Sequence, residues 1–197
     1  MKQTFIHYLI TDTDSEYLTT SPRIFKHKLS QTFKYQTIHF ACFRAKDIID
    51  TPRFQQLAKI FIKQCKIHKI KAFINSDIGL AHKLGFDGIH LTSKQFDKIS
   101  LAKELGLTTI ISTHDENEIQ KSIKSQSDYI TYSPIFFTPH KGKSKGIFHL
   151  KKIVRKYNKS NIIALGGITN QNQINKIKIT SSIGFASIRY FKFFVLY

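Results

Sequence analysis

The chain has 197 residues, 41% of them hydrophobic, and carries a formal net charge of +18 at neutral pH. That length predicts one domain over residues 1–197 with a sizeable core, and no apolar run is long enough to span a bilayer. The opening Met1-Lys2-Gln3-Thr4-Phe5 lacks a signal-peptide core, and Cys42 and Cys65 make no CxxC pair, so a reduced, cytoplasmic protein is expected.

The charge has two readings. It suits an anionic partner, such as a phosphorylated small molecule, nucleic acid or an acidic membrane. It also suits a plain bias in composition, because Lys and Ile are abundant throughout and the lysines are spread over many elements. No aromatic RNA-binding signature and no zinc-finger spacing points to nucleic acid.

Taken in order, Phe5 to Ile10 is a short apolar run and predicts strand 1, ending at Thr11-Asp12. Ser21-Pro22 predicts a capped helix reaching about Phe33. Thr37 to Phe43 predicts strand 2. Thr51-Pro52 repeats the cap-and-proline signal before a helix with Phe54, Leu57, Ala58, Phe61, Ile62 and Cys65 on one face. Strand 3 is Lys71 to Asn75, followed by a short helix over 77–84 that Gly85 ends. Strand 4 is Gly88 to Thr92, then a helix from Asp97 to Leu105 closed by Gly106. Strand 5 runs from Thr108 to His114, and Asp115 caps a helix to about Lys124. Strand 6 is Asp128 to Tyr132, with the long loop Ser133 to Gly146 after it. A helix over 148–157, a seventh strand, a helix over 171–178 and an eighth strand within 182–188 complete the series.

Strict alternation with short connections predicts a parallel sheet. A doubly wound open sheet competes with a (β/α)8 TIM barrel. The barrel is preferred because polar residues close nearly every strand, where a barrel gathers its site: Asp12, Arg44, Asn75, Thr92, His114, Ser133 and Gly167, with Arg189 after the eighth. The barrel would be short, with its eighth helix missing or degenerate, because the chain ends as Arg189-Tyr-Phe-Lys-Phe-Phe-Val-Leu-Tyr197. Exposed, that aromatic tail would favour a homo-oligomer or mark a truncated product.

The stretch Asn161 to Asn170 is a buried strand that breaks at Gly166-Gly167. Without a Cβ, that backbone can approach a phosphate, and the eighth strand repeats the design. Arg44 and Lys46 are two apart in an extended segment, so both point inward, either onto an anion or into a salt bridge. The loop after strand 6 is long, basic and punctuated by Pro and Gly; it is either a lid over a phosphorylated ligand or a solvated surface loop. His114 can move protons near neutral pH or serve a structural role, whereas His90 inside strand 4 reads as a barrel-core residue.

Tyr8-Leu-Ile-Thr-Asp12, Arg44-x-Lys46, Ile74-Asn75, Gly85-Phe-Asp-Gly-Ile-His-Leu91, Ser112-Thr-His114, Ser133-Pro-Ile-Phe-Phe-Thr-Pro-His-Lys141 and Ala164-Leu-Gly-Gly-Ile168 occur in that order. The ordered set resembles the thiamine phosphate synthase/thiazole tautomerase (TenI) family over roughly residues 5–190. The resemblance implies a (β/α)8 barrel acting in thiamine biosynthesis. In its synthase branch, a hydroxymethylpyrimidine diphosphate loses diphosphate with Mg²⁺ help, and the thiazole phosphate nitrogen captures the pyrimidine cation. It assigns Arg44, Lys46 and Lys141 to the diphosphate, and Asn75 to the pyrimidine or diphosphate side. Thr138, Gly166, Gly167, Ile188 and Arg189 become substrate and phosphate contacts. In the tautomerase branch, His114 moves the proton and no metal is needed.

The departures are specific. The synthases' Asp after the Asn is Ser76 here, and their second metal-binding Asp is Gln95. The strand-2 Gln is Cys42, the Thr before the loop Lys is His140, and the Ser ending strand 8 is Arg189. A hard Mg²⁺ ion is ordinarily held by carboxylates together with substrate phosphates. The expectation is therefore a metal-independent, thiazole tautomerase-like enzyme with His114 and Lys141 catalytic and no cofactor. Its partners would be phosphorylated thiazole or pyrimidine molecules. A divergent Mg²⁺-using thiamine phosphate synthase is the alternative, and a non-catalytic thiazole or thiamine phosphate binder a further one.

Overall fold

The computed structural model describes residues 4–11, 21–45 and 51–191. Eight parallel strands close into a barrel in chain order. They are β1 (Ile6–Ile10), β2 (Phe40–Phe43), β3 (Lys71–Asn75), β4 (Gly88–Leu91), β5 (Thr108–Thr113), β6 (Tyr129–Tyr132), β7 (Ile162–Leu165) and β8 (Gly184–Ser187). Pairing of Ile6 with Gly184 and of Leu9 with Ser187 brings β8 back against β1 and leaves no free edge.

Among the described residues seven α-helices separate the strands: α1 (Pro22–Tyr35), α2 (Pro52–Ile67), α3 (Ile78–Leu84), α4 (Ile99–Glu104), α5 (Glu116–Lys124), α6 (Gly146–Lys156) and α7 (Gln171–Lys178). The cap signals act as expected. Ser21, Thr51, Asp77 and Asp115 each accept a backbone N–H of the first turn through the side chain. Asn170 and Gln173 make a full capping box at α7.

The period of two along each strand sorts side chains into two shells. Ile6, Tyr8, Ile10, Phe40, Cys42, Phe73, Ile110, Ile163 and Ala186 fill the barrel interior. The alternate positions, such as Leu9, Ala41, Phe43, Ile74 and Ile111, pack outward against the helices, where Phe25, Leu57, Phe61 and Ile119 meet them. Ile10 ends β1 at the C-terminal mouth, where it meets polar side chains from the other strand ends.

Three element starts differ most from expectation. β2 begins at Phe40 instead of Thr37, because the Thr37 carbonyl faces the His7 ring (3.1 Å) outside the ladder. The predicted helix from Asp97 is a 3-10 turn over Phe96–Lys98 running into α4, and no side chain caps either. α6 begins at Gly146, ahead of the expected position 148. Residues 188–191 form no helix, and Phe191 is buried, stacked on Phe185 at 5.5 Å. The rest of the aromatic tail, together with Asp12 and Lys46, lies outside the described residues.

Candidate active site

At the C-terminal mouth a cavity of about 250 Å³ opens inside the ring of strand ends. Arg44, Asn75 and His114, three of the expected strand-end residues, line it, together with Thr138, Lys141, Gly166 and Ile188, which the resemblance named. Arg44 follows Phe40 and Cys42 in the inward alternation of β2, so period-two geometry aims it at the mouth. Buried Thr11 holds its backbone in place, accepting the Arg44 N–H (2.7 Å) and donating to the Arg44 carbonyl (2.8 Å).

Asn75 ends β3 and donates through Nδ2 to the His90 carbonyl at 2.9 Å. That fixes the amide and leaves its Oδ1 as the free acceptor. His114 is exposed at the rim, with its Nδ1 3.1 Å from the Ser133 hydroxyl and its N–H donated to Glu118. Lys141 is likewise exposed, on a turn in which its N–H donates to the Thr138 carbonyl.

The loop after β6 is pinned at its base. Ile135 and Phe136 donate to the carbonyls of Leu165 and Gly166, and Lys145 and Gly146 return to Pro134 and Ile135. This contact explains the glycine pair. A Cβ on Gly167 would lie 2.5 Å from the Phe137 carbonyl oxygen, and one on Gly166 2.7 Å from Pro134 Cα. Both glycines also have positive φ, 97° and 71°. The absent side chains therefore admit the β6 loop backbone. Gly166 still borders the cavity, whereas Gly167 is covered by the loop and does not line it. Arg189 is exposed and also lies outside the lining.

Sequence reasoning passed over the floor. His90, assigned to the barrel core, is 4% exposed yet borders the cavity, between the Tyr8 hydroxyl at Nδ1 (2.9 Å) and the Ser112 hydroxyl at Nε2 (3.0 Å). Burial, aided by the Arg44 charge, holds its pKa down to about 4, so it is neutral at pH 7. Thr92, Ser93, Ser112 and Ser133 complete the polar lining, and Ile10, Leu165 and Pro134 supply apolar walls. The signal available for His90 was its parity: it shares the inward phase of Asn75, its ladder partner.

Between the ends of β3 and β4, the Gln95 side chain closes a bridge. Its Oε1 accepts from the Thr92 N–H and hydroxyl (3.0 Å each), and its Nε2 donates to the Ser76 carbonyl at 3.2 Å. Asp77 caps α3 through Oδ1, and Asp97 sits exposed beside Lys98 at 3.7 Å. No carboxylate lines the cavity, and no cluster of three metal-binding side chains occurs among the described residues. Among the described residues the donor set is cationic and rich in hydroxyls, which fits phosphate oxygens better than a hard divalent cation.

Comparison with known proteins bears on what such a mouth holds. The family model described as thiamine monophosphate synthase matches residues 7–189. A thiamine-phosphate synthase of Pelagibacter ubique is 34% identical over 119 residues, 59% of this chain and 58% of that protein. One from Lactococcus lactis is 29% identical over 154 residues, 74% of this chain and 69% of that protein. The chain spans little more than half of several such relatives, 55% of the Anoxybacillus flavithermus protein for example. In three dimensions, a thiamine phosphate pyrophosphorylase from Pyrococcus furiosus shares the fold, with a TM-score of 0.76 at 21% identity, over 94% of this chain and 86% of that one.

Proposed function

Since the chain belongs to the thiamine monophosphate synthase family, we propose that it is a transferase of thiamine biosynthesis, joining a hydroxymethylpyrimidine diphosphate to a thiazole phosphate. The supporting observation is the charge of the mouth: Arg44 and Lys141 face a cavity into which no described carboxylate projects. Such a site favours two phosphorylated substrates over any cationic one.

The bond between the pyrimidine methylene and the diphosphate oxygen breaks, and its electron pair leaves with the diphosphate. The thiazole nitrogen lone pair then forms the new C–N bond. Charge builds on the departing oxygens, where Arg44 can make paired hydrogen bonds and Lys141 can add a second positive charge from the loop after β6. The Asn75 amide, fixed by its bond to the His90 carbonyl, offers an acceptor to the exocyclic amine of the pyrimidine. The apolar walls at Ile10, Leu165 and Ile188 suit the flat faces of two heterocycles. No helix among the described residues is long and apolar enough to cross a membrane; the reading places the protein in the cytoplasm.

One observation favours a second reading. Where the resemblance expects two metal-binding carboxylates, Ser76 and Gln95 stand, and the Gln95 amide ties the two loops together. A thiazole tautomerase, with His114 as the proton carrier and no metal, accommodates that substitution. The comparisons name synthases and so weigh toward the first reading. Purified protein given both synthase substrates, with and without Mg²⁺, decides between them by chromatography of thiamine monophosphate. Formation of the product at a rate well above the uncatalysed mixture is the expected result. No coupling, with isomerisation of a thiazole carboxylate phosphate that His114→Ala abolishes, would replace it by the tautomerase. Tight binding of thiamine monophosphate without either turnover would leave a binder.

A further inference from the structure

Three hydroxyl-bearing or imidazole side chains run from the closed interior of the barrel to the cavity: Tyr8, His90 and Ser112. Tyr8 is fully buried and its phenol stays protonated, because burial raises its pKa well above the ordinary value. A buried phenol proton needs an acceptor. The thiol of Cys42, also fully buried, turns its own hydrogen to the Phe43 carbonyl at 3.7 Å, and sulfur is a weak acceptor. The strong acceptor within reach is His90 Nδ1, at 2.9 Å.

The rest follows from the valence of a neutral imidazole. If Nδ1 accepts from Tyr8, the ring proton sits on Nε2. Nε2–H then donates to Ser112 Oγ at 3.0 Å, the nearer of two hydroxyls, Thr131 Oγ1 being 3.5 Å away and itself directed at the Ile111 carbonyl. Ser112 Oγ is thereby an acceptor toward His90, and its hydrogen has to point elsewhere. Among the described residues no acceptor meets it, and Ser112 lines the cavity.

We propose that Tyr8 and His90 act as a positioning pair that locks the Ser112 hydroxyl as a hydrogen-bond donor into the cavity, so that the site selects a ligand presenting an unprotonated acceptor atom there. The opposite ring tautomer would draw the Ser112 hydrogen down onto Nε2 and present a lone pair to the ligand instead. The barrel interior thus sets the polarity of one wall of the site, through residues of which only two reach the cavity. The proposal rests on the reading of this cavity as the substrate site.

Two measurements test it on the intact protein. Long-range ¹H–¹⁵N NMR of the ligand-free chain at pH 7 reads the tautomer directly. A neutral His90 with its proton on Nε2 is expected, and a proton on Nδ1 overturns the proposal whatever the ligand. The second is a double-mutant cycle on thiamine monophosphate affinity, measured calorimetrically. Ser112→Ala and His90→Leu are each expected to weaken binding about tenfold, and the double variant about tenfold as well, because both remove one contact. Independent effects, multiplying to about a hundredfold, would assign His90 a purely structural role and overturn it. Failure of the unmodified protein to bind thiamine monophosphate would sink the proposed function, while the tautomer would still judge the lock.

Discussion

The two sides of the barrel mouth are closed by different means. On the β6–β7 side, backbone meets backbone: Phe136 donates to the Gly166 carbonyl, and the carbonyl of Phe137 fills the space where a Gly167 side chain would stand. On the β3–β4 side, one neutral side chain does the joining, with Gln95 reaching from the Thr92 turn to the Ser76 carbonyl. A backbone closure requires glycine and admits little else. A side-chain closure can be rewritten by one substitution. The first wall is therefore the rigid half of the site and the second its adaptable half, where Ser76 and Gln95 stand in place of the two carboxylates the resemblance implies.

Several changes would break or sharpen that contrast, and the largest falls on the rigid wall. Gly167→Ala puts a Cβ 2.5 Å from the Phe137 oxygen at a φ of 71°. A loss of about 3 kcal/mol or more in unfolding free energy by urea titration is expected, since strain and overpacking add. A loss under about 1 kcal/mol would mean the loop yields easily and the wall is not rigid.

Acid acts next, between the walls. His90 has its folded pKa lowered from 6.5 to about 4, mainly by burial. The unfolded chain then binds the extra proton first, so stability is full above about pH 6.5 and falls as pH drops toward 4. The loss is on the order of 2–3 kcal/mol over that window. His90→Leu should flatten the acid limb of the stability curve, although His7, also lowered to about 4 by burial, leaves part of it.

Binding of inorganic pyrophosphate probes the mouth between them. Arg44→Met is expected to weaken it by about 10- to 100-fold, the range for losing charge-assisted hydrogen bonds. Unchanged affinity by calorimetry would remove Arg44 from the anion site. The smallest effect belongs to the adaptable wall: Gln95→Ala should cost about 1 kcal/mol, since it removes one half-buried side-chain tie whose partners can turn to water. A cost equal to that of Gly167→Ala would erase the distinction between the two walls.

Much of the barrel was legible because its signals are local. Ser21-Pro22, Thr51-Pro52, Asp77 and Asp115 start helices by satisfying nearby N–H groups, a matter of three or four residues. The phase of two along β2 placed Arg44 at the mouth for the same reason. The start of the helix near Asp97 is not legible, because no side chain caps it and the chain enters through a 3-10 turn. Gly166-Gly167 stood out at once, but its sequence could not say whether a phosphate or another loop fills the space. His90 looked like core because it is core, and its second role depends on residues 82 and 22 positions away.

Composition, caps and alternation thus determined the order of elements, the closed parallel architecture they favour and the strand ends that gather at one face, since each depends on near neighbours along the chain. Only the tertiary structure decided which gaps are filled by the protein itself. It packed the β6 loop onto the glycine pair, tied Gln95 across two loops and threaded Tyr8, His90 and Ser112 into one line. Those are contacts between residues far apart in sequence, set by how eight strands close on one another, and no local pattern carries them.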